Sequence, residues 1–144
     1  MNGADGFDPK LFAGFAASVG HHGALGIEYR DHGSDWVEMA LPYQEKLVGV
    51  VETGVLASGP IVSLMDMATS MSVWLKLGRF RHQATLDLRV DYLRPATPGA
   101  TVIGRGECYA ITRSVAFVRG IAHEGDAGEP VANVAGTFMF TDRA

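Results

Sequence analysis

Residues 57–75 read ASGPIVSLMDMATSMSVWL, and this stretch decides the fold. Ser58 or Gly59 suits a helix N-cap, and Pro60 suits the first helical position. After them, apolar or small residues cover nearly the whole circumference, which is typical of a helix buried on most sides. The stretch therefore predicts one long central helix over about residues 59–77.

One acidic residue interrupts this apolar helix. Asp66 is the only carboxylate between residues 57 and 75. Burying a carboxylate costs free energy unless it is paired or hydrogen-bonded. Asp66 is therefore either a reactive group or a structural acid bonded to Ser63, Ser70 or a neighbouring strand. We take the reactive role as the hypothesis and keep the structural one as its alternative.

Composition narrows the classes of protein. The 144 residues suit a single domain, 1–144, in which residues 1–20 form an N-terminal helical extension. The net charge of −4 gives no reason to expect a nucleic acid or a membrane as partner. The single cysteine, Cys108, provides neither a disulfide framework nor a Cys-rich metal site, and the N-terminus shows no secretory signal. We expect a cytoplasmic protein without a metal or cofactor.

Around the central helix, the chain reads as one more helix and several strands. The extension helix opens at Asp8 and Pro9 and ends at Gly20. Residues 42–56 read as a loop, and residues 85–93 alternate strictly, with an apolar face formed by Leu86, Leu88, Val90 and Tyr92. The other predicted strands are 25–30, 36–41, 101–111, 114–123 and 131–141. Four long strands joined by hairpins predict an α+β fold, a curved antiparallel sheet wrapped around one helix.

Four segments of the chain resemble the hotdog-fold acyl-CoA thioesterases, in the branch that contains the phenylacetyl-CoA thioesterases. Residues 54–68 (GVLASGPIVSLMDMA) resemble the central-helix motif of that family, and residues 85–96 (TLDLRVDYLRPA) resemble the strand that follows. Residues 113–118 (RSVAFV) and 136–138 (GTF) look like the next hairpin and the last strand. The resemblance covers about residues 20–141 and implies a hotdog fold.

The resemblance also implies roles for individual residues. Asp66 corresponds to the catalytic carboxylate, which acts as general base or nucleophile on the thioester. Ser58, with Gly59 beside it, corresponds to the backbone N–H that polarises the thioester carbonyl. Thr85 corresponds to a hydroxyl that positions water, although Thr85 also fits a simple strand position, and Ser58 also fits a plain helix cap.

Coenzyme A phosphates require basic residues near the mouth of the site. The position of Arg113 and Ser114 at a hairpin matches the family and makes them the first candidates. Arg94 or Arg81 is the second. The adjacent His21 and His22 have no carboxylate or cysteine at ligand spacing, so we interpret them as residues at a helix end.

The distance between the start of the central helix and Asp66 predicts an oligomer, independently of the family resemblance. Free N–H groups at Ser58 and Gly59, together with the positive end of the helix dipole, suit a developing oxyanion. Asp66 lies seven positions after Gly59, about 10 Å along the axis. One helix start and its own carboxylate are too far apart to hold the same carbonyl, so we expect a homodimer with a site shared by two protomers. Such dimers are expected to pair further into a dimer of dimers.

The sequence leaves three functions open. The first is an acyl-CoA thioesterase that hydrolyses an acyl- or aroyl-CoA to the free acid and coenzyme A. The second is a non-catalytic or redirected acyl- or acyl-CoA-binding protein, because the family's His-Gly-Gly is replaced here by Ala57-Ser58-Gly59 and its Asn or Gln by Val50 and Val51. The third is a hydratase or dehydratase. It would need a histidine near the helix, and none lies between His32 and His82.

Overall fold

The computed structural model describes residues 6–142 of the chain. Within this range the α-helices are α1 (Pro9–Ser18), α2 (Gly20–Leu25) and α3 (Ser58–Leu77). The strands are β1 (Glu28–His32), β2 (Trp36–Leu41), β3 (Val48–Val50), β4 (Val55–Leu56), β5 (Gln83–Tyr92), β6 (Val102–Ile111), β7 (Val115–His123) and β8 (Ala132–Phe140).

The main sheet wraps around α3. Its strands follow the order β1-β2-β6-β7-β8-β5, and every neighbouring pair is antiparallel. The helix packs mainly on β2, β6 and β7. The largest fully buried side chains come from both layers, among them Phe138, Met39, Leu41, Leu64 and Met65. The α+β fold expected from the sequence, one long helix held by a curved antiparallel sheet, is confirmed.

Helix α3 begins one residue earlier than predicted. Ala57 takes the N-cap position with extended backbone angles (φ −61°, ψ 153°) and no side-chain cap. Its N–H donates to the Leu47 carbonyl at 2.9 Å, which fixes the helix start against the preceding loop. The prediction of Ser58 or Gly59 as the cap is therefore wrong. At the other end, Gly78 closes the helix in the left-handed region at φ 71°.

Glycines on β6 let this strand approach the backbone of α3. A Cβ at Gly106 would lie 2.5 Å from the Thr69 backbone nitrogen, and one at Gly104 would lie 2.8 Å from Leu64 Cγ. Real side chains do not tolerate contacts this short, so these positions require glycine. The separation between α3 and β6 is consequently set by main-chain contact at Gly106 and by contact with the Leu64 and Met65 side chains at Gly104.

The N-terminal region departs from the sequence prediction. Asp8 caps α1 by accepting from the Lys10 and Leu11 N–H groups, as its position suggested. Gly20, however, begins α2 instead of ending the first helix, because Val19 adopts extended angles and separates the two helices. The first strand consequently starts at Glu28, three residues later than predicted.

Residues 42–56 are more ordered than the loop predicted for them. They contain a 3₁₀ turn, Glu45–Leu47, followed by the small hairpin of β3 and β4. Gly54 completes the hairpin turn at φ 76°, and its carbonyl accepts from the Tyr43 hydroxyl at 2.8 Å. This hairpin leads directly into α3.

Strand β5 pairs with β8, not with β6. The predicted succession of hairpins is therefore wrong at this point, since the connection after β5 carries the chain across the sheet. The predicted apolar face is also interrupted, because the pairing shifts from Thr85↔Phe138 to Asp87↔Thr137 and leaves Leu86 in a bulge. Leu86 is 59% exposed, and β5 forms an edge of the sheet.

Candidate functional site

Asp66 and Thr85 meet between α3 and the edge strand. Asp66 is half-buried on α3, beside helix positions that are fully buried. Its Oδ1 accepts a hydrogen bond from Thr85 Oγ1 at 2.8 Å. The bulge after Thr85 alters the alternation of β5 at this position. The carboxylate is thus held at one oxygen by a hydroxyl, an arrangement suited to binding and deprotonating water.

The start of α3 provides a second polar feature. Ser58 and Gly59 are exposed, and within residues 6–142 no carbonyl accepts from their N–H groups. The Tyr92 hydroxyl donates to the Ser58 carbonyl at 3.0 Å, which ties the helix start to the end of β5. Free N–H groups at the positive end of a long helix stabilise negative charge.

The structure does not bring these two features together within one chain. Ser58 and Asp66 are eight positions apart on a continuous helix, an axial separation of about 12 Å. Asp66 and Thr85 are therefore assembled in one protomer, whereas Ser58 and Gly59 lie elsewhere on its surface.

Two histidines from α2 border the acidic site, a feature that the sequence did not reveal. His21 Nε2 lies 2.8 Å from Ser63 Oγ, and Ser63 precedes Asp66 by three helix positions. Burial lowers the pKa of His22, the charge of His21 lowers it further, and the charge of Asp66 raises it. The interpretation of both histidines as plain helix-end residues omitted these contacts. The sequence carries no signal for them beyond the presence of Ser63 near Asp66.

The arginines proposed for coenzyme A differ in their surroundings. Arg94 lies 3.4 Å from Glu124 and also donates to the Glu129 carbonyl at 2.9 Å. Burial raises the pKa of Glu124, but hydrogen bonds from Thr97 and the charge of Arg94 outweigh it and hold the pKa below its usual value. The guanidinium of Arg94 is thus already bonded to two groups of the protein, the Glu124 carboxylate and the Glu129 carbonyl.

Arg113 and Ser114 are exposed in the turn between β6 and β7. The Ser114 carbonyl accepts from the Phe140 N–H at 2.9 Å, so the turn is tied to the end of β8. Among residues 6–142 no carboxylate pairs with Arg113, whereas Arg81 is bound to Asp142 at 2.8 Å. Arg113 therefore has a guanidinium available for an anionic ligand.

Three further features of the described residues concern metal binding, thiol chemistry and membrane insertion. Residues 6–142 contain no group of three or more metal-ligating side chains. Cys108 is fully buried, and burial raises the pKa of its thiol. No helix in this range combines the length and apolarity needed to cross a membrane.

Comparison with known proteins supports the fold and places the chain in a family. The model of the thioesterase superfamily matches residues 53–131, which include α3, Asp66 and Thr85. The medium/long-chain acyl-CoA thioesterase YigI of Escherichia coli is 31% identical over 106 residues, covering 64% of this chain and 63% of the E. coli protein. The matched region thus spans less than two thirds of that relative's length.

Solved structures extend the similarity over most of the chain. A Pseudomonas aeruginosa protein is 37% identical, with a TM-score of 0.81, and the match covers 92% of this chain and 98% of that one. A phenylacetic acid degradation-related protein from Ralstonia eutropha is 27% identical, with a TM-score of 0.69, and the match covers 82% and 87% of the two chains. With the family model matching more than half of its residues, the chain belongs to the thioesterase superfamily and has its hotdog fold.

Proposed function

We propose that the protein is an acyl-CoA thioesterase that hydrolyses an acyl- or aroyl-CoA to the free acid and coenzyme A. The observation that carries this proposal is the Asp66–Thr85 hydrogen bond at 2.8 Å, within the region that the superfamily model matches. The E. coli relative is named for medium- and long-chain acyl-CoA, and the R. eutropha relative for phenylacetic acid degradation. Both names agree with an acyl or aroyl thioester as substrate.

In the proposed reaction Asp66 acts as general base. Its Oδ1 is held by Thr85, so Oδ2 accepts the proton of a water molecule, and the water oxygen attacks the thioester carbonyl carbon. The carbonyl oxygen becomes an oxyanion, which the N–H groups of Ser58 and Gly59 stabilise. When the tetrahedral intermediate collapses, the C–S bond breaks and coenzyme A leaves as thiolate. Attack by Asp66 itself, through an anhydride, is the alternative use of the same carboxylate.

The proposed site is shared by two protomers. The axial separation of about 12 Å between Ser58 and Asp66 is too large for one carbonyl group, so the oxyanion donors come from the partner's helix. Edge strand β5 supports such pairing, because it exposes Leu86 (59%) and Tyr92 (44%), and Leu93 directly after it is 56% exposed. Apolar side chains along an unpaired edge favour association with another chain. We therefore propose a homodimer, which pairs further into a dimer of dimers.

Two rival functions are kept as outcomes of the test. Ala57 and the exposed Val50 and Val51 stand where the family has polar side chains, which favours a redirected acyl-CoA-binding protein. A hydratase would need a histidine near the central helix. Residues 33–81 contain none, but α2 places His21 against Ser63, close to Asp66, so the hydratase stays an alternative. Both rivals retain the fold. The hydratase would form a hydrated acyl-CoA, and the binding protein would leave the acyl-CoA unchanged.

A panel of acyl- and aroyl-CoA thioesters, assayed by release of the free thiol, tests the proposal. We expect turnover on at least one member. An enoyl-CoA should be included, with the acyl product analysed, because hydration leaves the thioester intact. Thermal stabilisation by an acyl-CoA that is neither cleaved nor hydrated would identify a binding protein, since any ligand that prefers the folded state raises its stability. Failure of the whole panel would refute the thioesterase.

The Arg113 turn is expected to bind the phosphates of coenzyme A without contributing to chemistry. Arg113→Ala should raise KM about tenfold with little change in kcat, because the lost contact is the same in ground and transition states. The difference should shrink at high salt, where an exposed charge is screened. Arg89→Ala is the matched control, since Arg89 is an exposed arginine paired with Asp91. Equal KM values for Arg113→Ala and wild type would contradict the assignment.

A further inference from the structure

Helix α2 is held by polar contacts and by Leu25 at its end, which packs partly buried against the core. None of its residues is buried. The carbonyl groups at its C-terminal end accept from Lys46 Nζ (to Ala24, 2.8 Å) and Gln44 Nε2 (to Leu25, 3.0 Å). Gly26 then reverses the chain in the left-handed region at φ 74°. These contacts fix α2 at its C-terminal end, while His21 near its start contacts α3.

At its histidine end, α2 is bound to α3 through Ser63. The His21 Nε2 to Ser63 Oγ distance of 2.8 Å is that of a good hydrogen bond. Residues three apart on a helix lie on one face with Cβ atoms about 5–6 Å apart, so Ser63 and Asp66 are neighbours. Burial lowers the pKa of His22 and the charge of Asp66 raises it, and this effect of the charge agrees with the placement.

The Ser63 hydroxyl differs from the deeper hydroxyls of α3. Thr69 Oγ1 donates to the Met65 carbonyl at 2.7 Å, and Ser72 Oγ donates to the Thr69 carbonyl at 2.7 Å. Both are fully buried, and both hydrogen atoms are used by the helix itself. Ser63 is half-buried, and its partner is a side chain from another helix. When His21 Nε2–H donates to Ser63 Oγ, the Ser63 hydrogen stays free to donate into the site.

We propose that Ser63 is a further catalytic residue, whose hydroxyl binds the attacking water beside Asp66, and that His21 is a positioning residue that orients this hydroxyl. The inference rests on the proposed thioesterase function. Thr85 holds Asp66 from the strand side, and Ser63 holds the water from the α2 side.

Substitutions at Ser63 and His21 test the proposal by steady-state kinetics. Ser63→Ala should lower kcat about tenfold with KM little changed, because a misplaced water slows the chemical step more than it weakens substrate binding. Ser63→Thr retains a hydroxyl and should restore most of the rate. Ser70→Ala is the matched control, since Ser70 lies one turn after Asp66, is also half-buried, and has no histidine partner within residues 6–142.

The histidine is tested through its dependence on Ser63. His21→Ala should lower kcat to a similar extent, and His21→Gln should restore activity because the glutamine amide can donate from the position of Nε2. The double variant Ser63→Ala/His21→Ala should be no slower than Ser63→Ala alone, as expected if His21 acts only through the hydroxyl.

If wild type is active and Ser63→Ala has the same kcat, the role of Ser63 is refuted and the thioesterase proposal stands. A double variant with multiplied losses would overturn the positioning role of His21. Wild type that is inert on every thioester would overturn both proposals. Circular dichroism and light scattering on each variant identify any loss of kcat that comes from unfolding or dissociation.

Discussion

Replacing Asp66 by asparagine should lower kcat by at least about 100-fold, the scale of general base catalysis, while the fold stays intact. The side-chain amide of asparagine has nearly the shape of the carboxylate, and its oxygen can still accept from Thr85 Oγ1. Only the ability to take a proton from water is lost. Steady-state kinetics on the best thioester of the panel, with circular dichroism as a check on folding, measures the effect.

Asp87 provides the matched control for this substitution. It is an exposed carboxylate on the same strand as Thr85, two residues further on and past the bulge. Asp87→Asn makes the identical chemical change and should leave kcat within about twofold of wild type, as is usual for surface substitutions away from special features. If Asp66→Asn retained activity within a few-fold of wild type, Asp66 would be a structural acid.

Replacing Ser58 by proline should lower kcat by about 100-fold or more, because it removes one donor from the proposed oxyanion site. The first position of a helix tolerates proline, and the residue before a proline prefers the extended angles that Ala57 already has (φ −61°, ψ 153°). The backbone should therefore change little except for the loss of one N–H. Ser58→Ala retains that N–H, removes only the hydroxyl, and should keep nearly full activity.

The Ser58→Pro and Asp66→Asn variants together test whether the site is shared. In a mixed dimer, the intact Asp66 of one protomer faces the intact helix start of the other, which restores one of two sites. Random reassembly of equal amounts should then recover about a quarter of wild-type activity from two nearly inactive proteins. If the two variants stayed inactive after verified subunit exchange, the shared site would be contradicted, because residues that act within one chain do not complement each other.

The central part of the fold could be predicted because its signals are local. An apolar run, a proline near its start and Gly78 after its end define α3 to within one residue. Strict alternation predicts β5, and two motifs of the family assign roles to Asp66 and Thr85. These features depend on residues close together in sequence, whose helix and strand propensities and hydrophobic periodicity determine the local structure.

What could not be predicted depends on contacts between distant segments. The pairing of β5 with β8 is decided by the closure of the sheet around the helix, and nothing in either strand specifies the partner. Helix α2 is six residues long, contains two glycines and contributes Leu25 to the core, so it is too short for a helical periodicity to indicate it. The His21–Ser63 contact joins residues 42 positions apart, and neither residue by itself carries a distinguishing signal in the sequence.

The close approach of α3 to β6 also affects how this protein can vary during evolution. Gly106 brings β6 against the main chain of α3, and Gly104 brings it against the Leu64 and Met65 side chains. The two glycines thus set the height of the helix, and with it the position of Asp66, above the sheet. Apolar side chains elsewhere in the core can then be exchanged for others of similar volume, at a cost in stability alone. Divergent descendants of this chain could therefore change much of their interior and still inherit the same catalytic geometry, provided that the two glycines are kept.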